Sequence, residues 1–138
     1  MKTYSQFSIA MIFAVGGAIG FTARRTQPTT PHLSEPALLR SIAQVESGGR
    51  LDAVGKHGEL GEYQLEPVII FGWEVTYGRH FDYSDKTQTE VATCWLHQWE
   101  LKSQTFDPRT LFTLWNPGQP EETTQREMNL YQQNLNQK

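Results

Sequence analysis

The chain has 138 residues, with 12 basic and 15 acidic side chains, a net charge of −3 and a hydrophobic content of 38%. This length fits one domain with its own core, and four Trp with five Tyr are more aromatic residues than a disordered chain carries. The acidic balance argues against nucleic acid as a partner, and a single cysteine, Cys94, excludes an internal disulfide.

The first 23 residues have the pattern of a targeting segment. Lys2 precedes an apolar run, FSIAMIFAVGGAIGF, and a polar stretch follows it. The run is short for a membrane-spanning helix, which needs about 20 apolar residues, so we expect a cleaved signal peptide and export to the periplasm, cell envelope or medium. Because no clean Ala-x-Ala cleavage triplet appears, an uncleaved anchor through residues 6–21 stays open. Residues 24–34, with two Pro and three Thr, predict a linker.

The folded domain is predicted to occupy residues 35–138 and to begin with a helix over 35–47. Ser34 can cap this helix, Pro36 suits its first turn, and Gly48 with Gly49 stops it. Its apolar residues recur at helical spacing. They are Leu38, Leu39, Ile42 and Val45.

Glycines interrupt the segment LDAVGKHGELGEYQL, which has no sustained period and predicts a loop or a small hairpin beside the first helix. Apolar density resumes over residues 66–77, where we expect a helix interrupted near Gly72. From Asp85 a long helix is predicted, opened by a capping-box pattern of Asp85 with Gln88. Its apolar side recurs in steps of four, at Val91, Trp95 and Trp99.

Two further helices complete the prediction. Asp107 and Pro108 begin one, which must end at Asn116 because the residue before a proline avoids the helical region. Thr124 and Glu127 form a second capping-box pattern, and the helix that follows carries Met128, Tyr131 and Leu135 on one face. The whole is predicted to be a small, single, mostly helical domain, and we expect a monomer.

Glu46 lies on the same helical face as Leu39 and Ile42, so its side chain points toward the core. Desolvation there, and the negative end of the helix dipole, would both raise its pKa. A carboxyl group that is protonated near neutral pH is what a general acid requires. The alternative interpretation is a surface glutamate at a frayed helix end.

The stretch IAQVESGGRLDAVGKHGELGEYQLEP resembles the active-site segment of the lysozyme-like lytic transglycosylases, with Glu46-Ser47 ending a helix and Gly61-Glu62-Tyr63-Gln64 in a glycine loop. Further points fit in chain order: an aromatic run at residues 71–73, Asn116-Pro117-Gly118 and Tyr131. The resemblance implies an α+β lysozyme-like fold of mostly helical content and an enzyme that acts on peptidoglycan glycan strands.

By this resemblance, Glu46 protonates the glycosidic oxygen between N-acetylmuramic acid and N-acetylglucosamine. It then takes the proton of the muramoyl 6-hydroxyl as a 1,6-anhydro ring closes. Ser47 would position the sugar or the glutamate, and Gln64 would hydrogen-bond near the cleft floor. The groove would be lined by Tyr63, Asn116 and Tyr131. No metal or cofactor is implied, and the four histidines show no HExxH or paired ligand spacing.

Glu62 departs from the family pattern, which has a small or apolar residue there. If its side chain enters the cleft opposite Glu46, two carboxylates about 6.5–9.5 Å apart would support inverting hydrolysis. Asp52 is a further candidate for such a partner. The alternatives are therefore a hydrolytic muramidase of the same fold and a catalytically silent glycan-binding module.

Overall fold

A computed structural model of the protein describes residues 35–137, which form five α-helices. The helices are α1 (Glu35–Glu46), α2 (Pro67–Tyr77), α3 (Asp85–Ser103), α4 (Pro108–Trp115) and α5 (Glu121–Leu135). The prediction of a small, mostly helical single domain is confirmed. The predicted targeting segment, the linker and the cap Ser34 lie outside the described residues.

Helix α1 is central to the core. It packs mainly against α5 and also contacts α3, which in turn packs against α2 and α4. Its Leu38 and Ile42 are completely buried and belong to one apolar cluster with residues of α3 and α4. Those residues include Val91, Leu96, Leu111 and Phe112. Since α1 ends in this environment, its last residue lies at the border between core and solvent.

The segment between α1 and α2 is the predicted glycine-rich loop. It carries two isolated antiparallel bridges, Val54 with Leu60 and Leu60 with Leu65, and the described part of the chain contains no longer strand. Leu60 and Leu65 exchange both backbone hydrogen bonds at 2.9 Å. The loop is therefore folded back on itself beside the end of α1.

The predicted interruption of α2 at Gly72 is wrong. The helix is continuous, Gly72 is buried within it, and the Gly72 carbonyl accepts a 2.7 Å hydrogen bond from Thr76 Oγ1. Helix α2 ends instead at Gly78, whose φ of 61° is the left-handed conformation that glycine adopts most easily. None of the helices in residues 35–137 is long and apolar enough to cross a membrane.

Both predicted capping boxes are wrong. At α3 the cap is Ser84, whose side chain accepts from the Thr87 amide, and Gln88 turns inward to other partners. At α5 the helix begins at Glu121, after Pro120, so Glu127 lies in its interior. In both cases tertiary hydrogen bonds take the side chain that the pattern assigned to a cap.

The predicted start of α4 is confirmed. Asp107 Oδ2 accepts a 2.9 Å hydrogen bond from the Thr110 amide, and Pro108 occupies the first turn, where its missing N–H costs nothing. The helix ends at Asn116 as expected. The turn after α4 is therefore held at a defined place, which matters for the site below.

Leu96 and Leu101 lie on α3 in opposite environments, being 0% and 79% exposed. We expect Leu96→Ala to lower the free energy of unfolding by about 2–5 kcal/mol, because it removes core contacts and leaves a cavity. Leu101→Ala should change it by less than about 0.5 kcal/mol. Urea denaturation followed by circular dichroism measures both, and equal effects would mean that the α3 face is assigned incorrectly.

Candidate functional site

Glu46 is the last residue of α1, and its side chain is partly buried. Burial raises the pKa of its carboxyl group, a hydrogen bond from Asn116 opposes this, and the charge of Glu59 adds to the rise. The net pKa is above the ordinary value of 4.5. The raised pKa keeps this carboxyl group protonated to a higher pH than an exposed glutamate, which favours a role as a proton donor.

Asn116 reaches Glu46 from a distant part of the sequence. It ends α4, its backbone N–H donates to the Phe112 carbonyl at 3.2 Å, and its side-chain Nδ2 donates to Glu46 Oε1 at 3.5 Å. The second hydrogen bond is long for an N–H···O contact. Asn116, a predicted site residue, therefore contacts Glu46 directly.

Ser47 joins the end of α1 to the glycine loop. Its Oγ donates to the Glu62 carbonyl at 2.8 Å and accepts from the Arg50 amide at 3.0 Å. The hydroxyl is thus engaged within the protein, and it fixes the loop against the helix that carries Glu46. This contact supports a positioning role for Ser47.

Gln88 holds the same loop from the other side and was missed as a site residue. Its buried side chain accepts from the Glu62 amide at 2.7 Å and donates to the carbonyls of Leu51 and Tyr83 at 3.0 and 2.8 Å. Gly61 lies directly against it, because a Cβ at Gly61 would be 1.9 Å from Gln88 Oε1. The glycine of the Gly-Glu-Tyr-Gln element is therefore required by this close approach and by its φ of 76°.

The predicted groove tyrosines are mostly buried. Tyr63 is 5% exposed, its ring meets Trp115 edge-on at 6.4 Å, and its hydroxyl pairs with Thr89 Oγ1 at 3.2 Å. Burial raises the pKa of Tyr63 to about 12, so its hydroxyl stays protonated. Tyr131 is also 5% exposed and packs edge-on against Phe112 at 6.5 Å. Both rings therefore pack against side chains of α4.

Gln64 remains half-buried in the loop. Its Nε2 donates to the Gly61 carbonyl at 2.8 Å, and its backbone φ of 48° is left-handed. Its Oε1 would be 2.5 Å from a Cβ at Gly55, where the carboxylate of Glu59 also lies. Gln64 therefore belongs to the part of the loop that carries Glu59.

The carboxyl group of Glu62 lies beside that of Asp85, the first residue of α3. Burial and this neighbouring carboxyl raise the pKa of Glu62 to about 7. The backbone of Glu62, held by Ser47 and Gln88, is what connects it to the site. The other candidate partner, Asp52, lies exposed in the loop.

Two other carboxyl groups interact electrostatically with Glu46, and sequence reasoning missed both: the charge of Glu59 raises the pKa of Glu46, and the charge of Glu46 raises the pKa of Glu127. Glu59 comes from the glycine loop, where its Oε2 accepts from the His57 amide at 2.9 Å. Glu127 comes from the middle of α5 and is completely buried. Nothing in the sequence around Glu59, a glutamate between loop glycines, indicates a functional role. For Glu127, the helical spacing places a charged residue on the face that points to the core, and this could have been recognised.

No family model, curated protein or solved structure matches this chain. Within residues 35–137 there is no group of three His, Cys, Asp or Glu side chains placed to hold a metal ion. The resemblance to lytic transglycosylases therefore stays a prediction that rests on the residues themselves.

We expect Gln88→Leu to lower the free energy of unfolding by about 2 kcal/mol or more, because three backbone groups lose their partner at once. Gln98→Leu, at an exposed position of the same helix, is the matched control and should change it by less than about 0.5 kcal/mol. Thermal and urea denaturation measure both. A silent Gln88→Leu would mean that Gln88 does not anchor the loop.

Stability should also fall as pH rises from 5 to 8. Burial, and then the charge of Glu46, raise the pKa of Glu127 from 4.5 to about 7, so the folded state holds a proton that the unfolded state releases. The stabilisation is complete below pH 4.5 and is lost as pH rises through about 7. The total loss in the free energy of unfolding is at most about 3 kcal/mol. Glu127→Gln should flatten the curve of Tm against pH, and the exposed Glu122→Gln should leave it unchanged. An unaltered curve in Glu127→Gln would contradict the assignment.

Proposed function

We propose that this protein is an exported peptidoglycan lytic transglycosylase that cleaves the bond between N-acetylmuramic acid and N-acetylglucosamine with Glu46 as general acid and base. The observation that carries the proposal is the meeting of two separate parts of the resemblance. Asn116 of the Asn-Pro-Gly turn donates to Glu46 of the Glu-Ser pair at 3.5 Å, although 70 positions separate them. The raised pKa of Glu46 supports the same reaction.

The reaction needs one group that first gives a proton and then takes one. Protonated Glu46 donates to the glycosidic oxygen as its bond to C1 of the muramoyl sugar breaks, and the N-acetylglucosamine end leaves with that proton. The Glu46 carboxylate then accepts the proton of the 6-hydroxyl, whose oxygen bonds to C1. No water is consumed, and Glu46 returns to its protonated form.

Asn116 favours the second stage of this cycle. Its amide donates to Glu46 Oε1, and a hydrogen bond to the carboxylate stabilises the charged form. Burial and the charge of Glu59 favour the protonated form, which is needed for the first stage. The two influences oppose each other, so the pKa of Glu46 is raised without the group being locked in one state.

A hydrolytic muramidase is the second candidate, and Glu59 is the observation that favours it. Its charge acts on Glu46, and its carboxylate lies in the loop that faces the end of α1. A second carboxylate near the acid is what activation of an attacking water requires. In this alternative Glu59 replaces Glu62 and Asp52 as the proposed base.

We expect the full chain to release anhydromuropeptides from purified peptidoglycan and Glu46→Gln to release about 100-fold fewer or none, because the amide cannot transfer the proton. Digests are analysed by mass spectrometry. Glu122→Gln, at an exposed site on α5, is the control and should retain full activity. Since Glu46→Gln removes a partly buried carboxyl group, its Tm should not be lower than that of the unaltered protein.

The products separate the three functions. Reducing-end products from the unaltered protein would contradict the transglycosylase, and their loss in Glu59→Gln would establish the hydrolase. If neither protein releases any product while both bind insoluble peptidoglycan in a sedimentation assay, the domain is a glycan-binding module.

A further inference from the structure

Glu127 is a completely buried carboxyl group in the middle of α5. Its Oε2 accepts a 2.6 Å hydrogen bond from Gln119 Nε2, and within the described chain its Oε1 is buried without a hydrogen-bond partner. Burying a carboxyl group with one of its oxygens unpaired is costly. A glutamine here would accept the same hydrogen bond without the burial of an ionisable group.

A chain of hydrogen bonds runs from Glu127 toward Glu46. Gln119 Nε2 is shared between Glu127 Oε2 and Thr124 Oγ1, the latter at 2.9 Å, which fixes the Gln119 side chain over the start of α5. The backbone N–H of Gln119 donates to the backbone carbonyl of Asn116 at 3.2 Å and closes the turn after α4. Asn116 donates its side-chain amide to Glu46. The position of the Asn116 amide thus depends on where Glu127 holds Gln119.

A second link is electrostatic. Helices α1 and α5 pack together, and the charge of Glu46 is close enough to raise the pKa of Glu127. The other charged groups on the helices packed against α5 are engaged elsewhere. Arg40 of α1 donates to the Asn134 carbonyl near the end of α5, and Arg109 of α4 binds Glu121 at its start. Within the packed helices, Glu46 is therefore the charge that Glu127 meets.

We propose that Glu127 is a positioning residue for Glu46: it holds the Gln119 side chain, and Gln119 closes the turn that presents the Asn116 amide to Glu46. The inference rests on the proposed function, because it assigns Glu127 a part in the acid/base cycle of Glu46. The charge of Glu46 raises the pKa of Glu127, so Glu127 is still neutral when Glu46 ionises and acts on it through these contacts. Once Glu46 has delivered its proton, the Asn116 amide stabilises the resulting carboxylate.

The test is the Glu127→Leu variant of the full chain, which removes the acceptor for Gln119, with Glu127→Gln, which keeps an acceptor, as the matched control. The first measurement is a ¹³C NMR titration of the Glu46 carboxyl carbon, assigned by comparison with Glu46→Gln. The second is the pH dependence of anhydromuropeptide release. In Glu127→Leu, both the NMR midpoint of Glu46 and the alkaline limb of the activity profile should move to higher pH by about half a unit or more, because the Asn116 hydrogen bond that favours the Glu46 carboxylate is loosened. In Glu127→Gln neither should move. A purely structural role would lower activity equally at every pH.

The two readouts keep this inference separate from the proposed function. An active Glu127→Leu variant with neither midpoint moved would overturn the role of Glu127 and leave the transglycosylase intact. A moved NMR midpoint in a protein that releases no product would support the coupling and contradict the transglycosylase. If Glu127→Leu fails to fold, Gln119→Leu serves instead, since it breaks the hydrogen-bonded link to Glu127 and should raise the NMR midpoint of Glu46. An unmoved midpoint there would overturn the link.

Discussion

The site depends on the burial of α1. Leu38 and Ile42 must lie in the core for α1 to pack against α5 and α3, and the helical repeat then places Glu46 on the same side, at the point where the core ends. The apolar stripe therefore carries a carboxyl group into partial desolvation, and its raised pKa follows from packing. Packing of the helix is thus sufficient to raise the pKa of Glu46.

The neighbours of Glu46 are fixed by polar contacts with loops and turns. Gln88 of α3 and Ser47, which directly follows α1, hold the backbone of Glu62 from two sides, which sets the glycine loop against the end of α1. The turn that brings Asn116 is closed by Gln119. These segments contain little regular structure, so hydrogen bonds from a few residues hold them in position.

The sequence predicted the helices well and the tertiary contacts poorly, for a physical reason. Apolar periodicity reports burial, so α1, α3 and α4 were found near their observed bounds, and Asp107 was recognised as a cap because that hydrogen bond is local. Gln88 and Glu127 have the spacing of capping residues, yet their side chains bond to groups brought close only by folding. A local sequence pattern carries no information about a hydrogen-bond partner that lies elsewhere in the chain. The same limit applies to Glu59, whose importance comes from where the loop folds.

Glu59 and Glu127 each interact electrostatically with Glu46, to which the Asn116 amide donates a hydrogen bond. Mutual repulsion means that they do not ionise independently, and loss of a proton from one makes the next loss harder. A simple general acid would be spent once its proton is transferred, but a coupled group recovers it readily because the neighbouring charges favour reprotonation. An acid that must also act as the base in the same cycle benefits from that arrangement. The cost falls on folding stability at high pH, since the completely buried Glu127 ionises there.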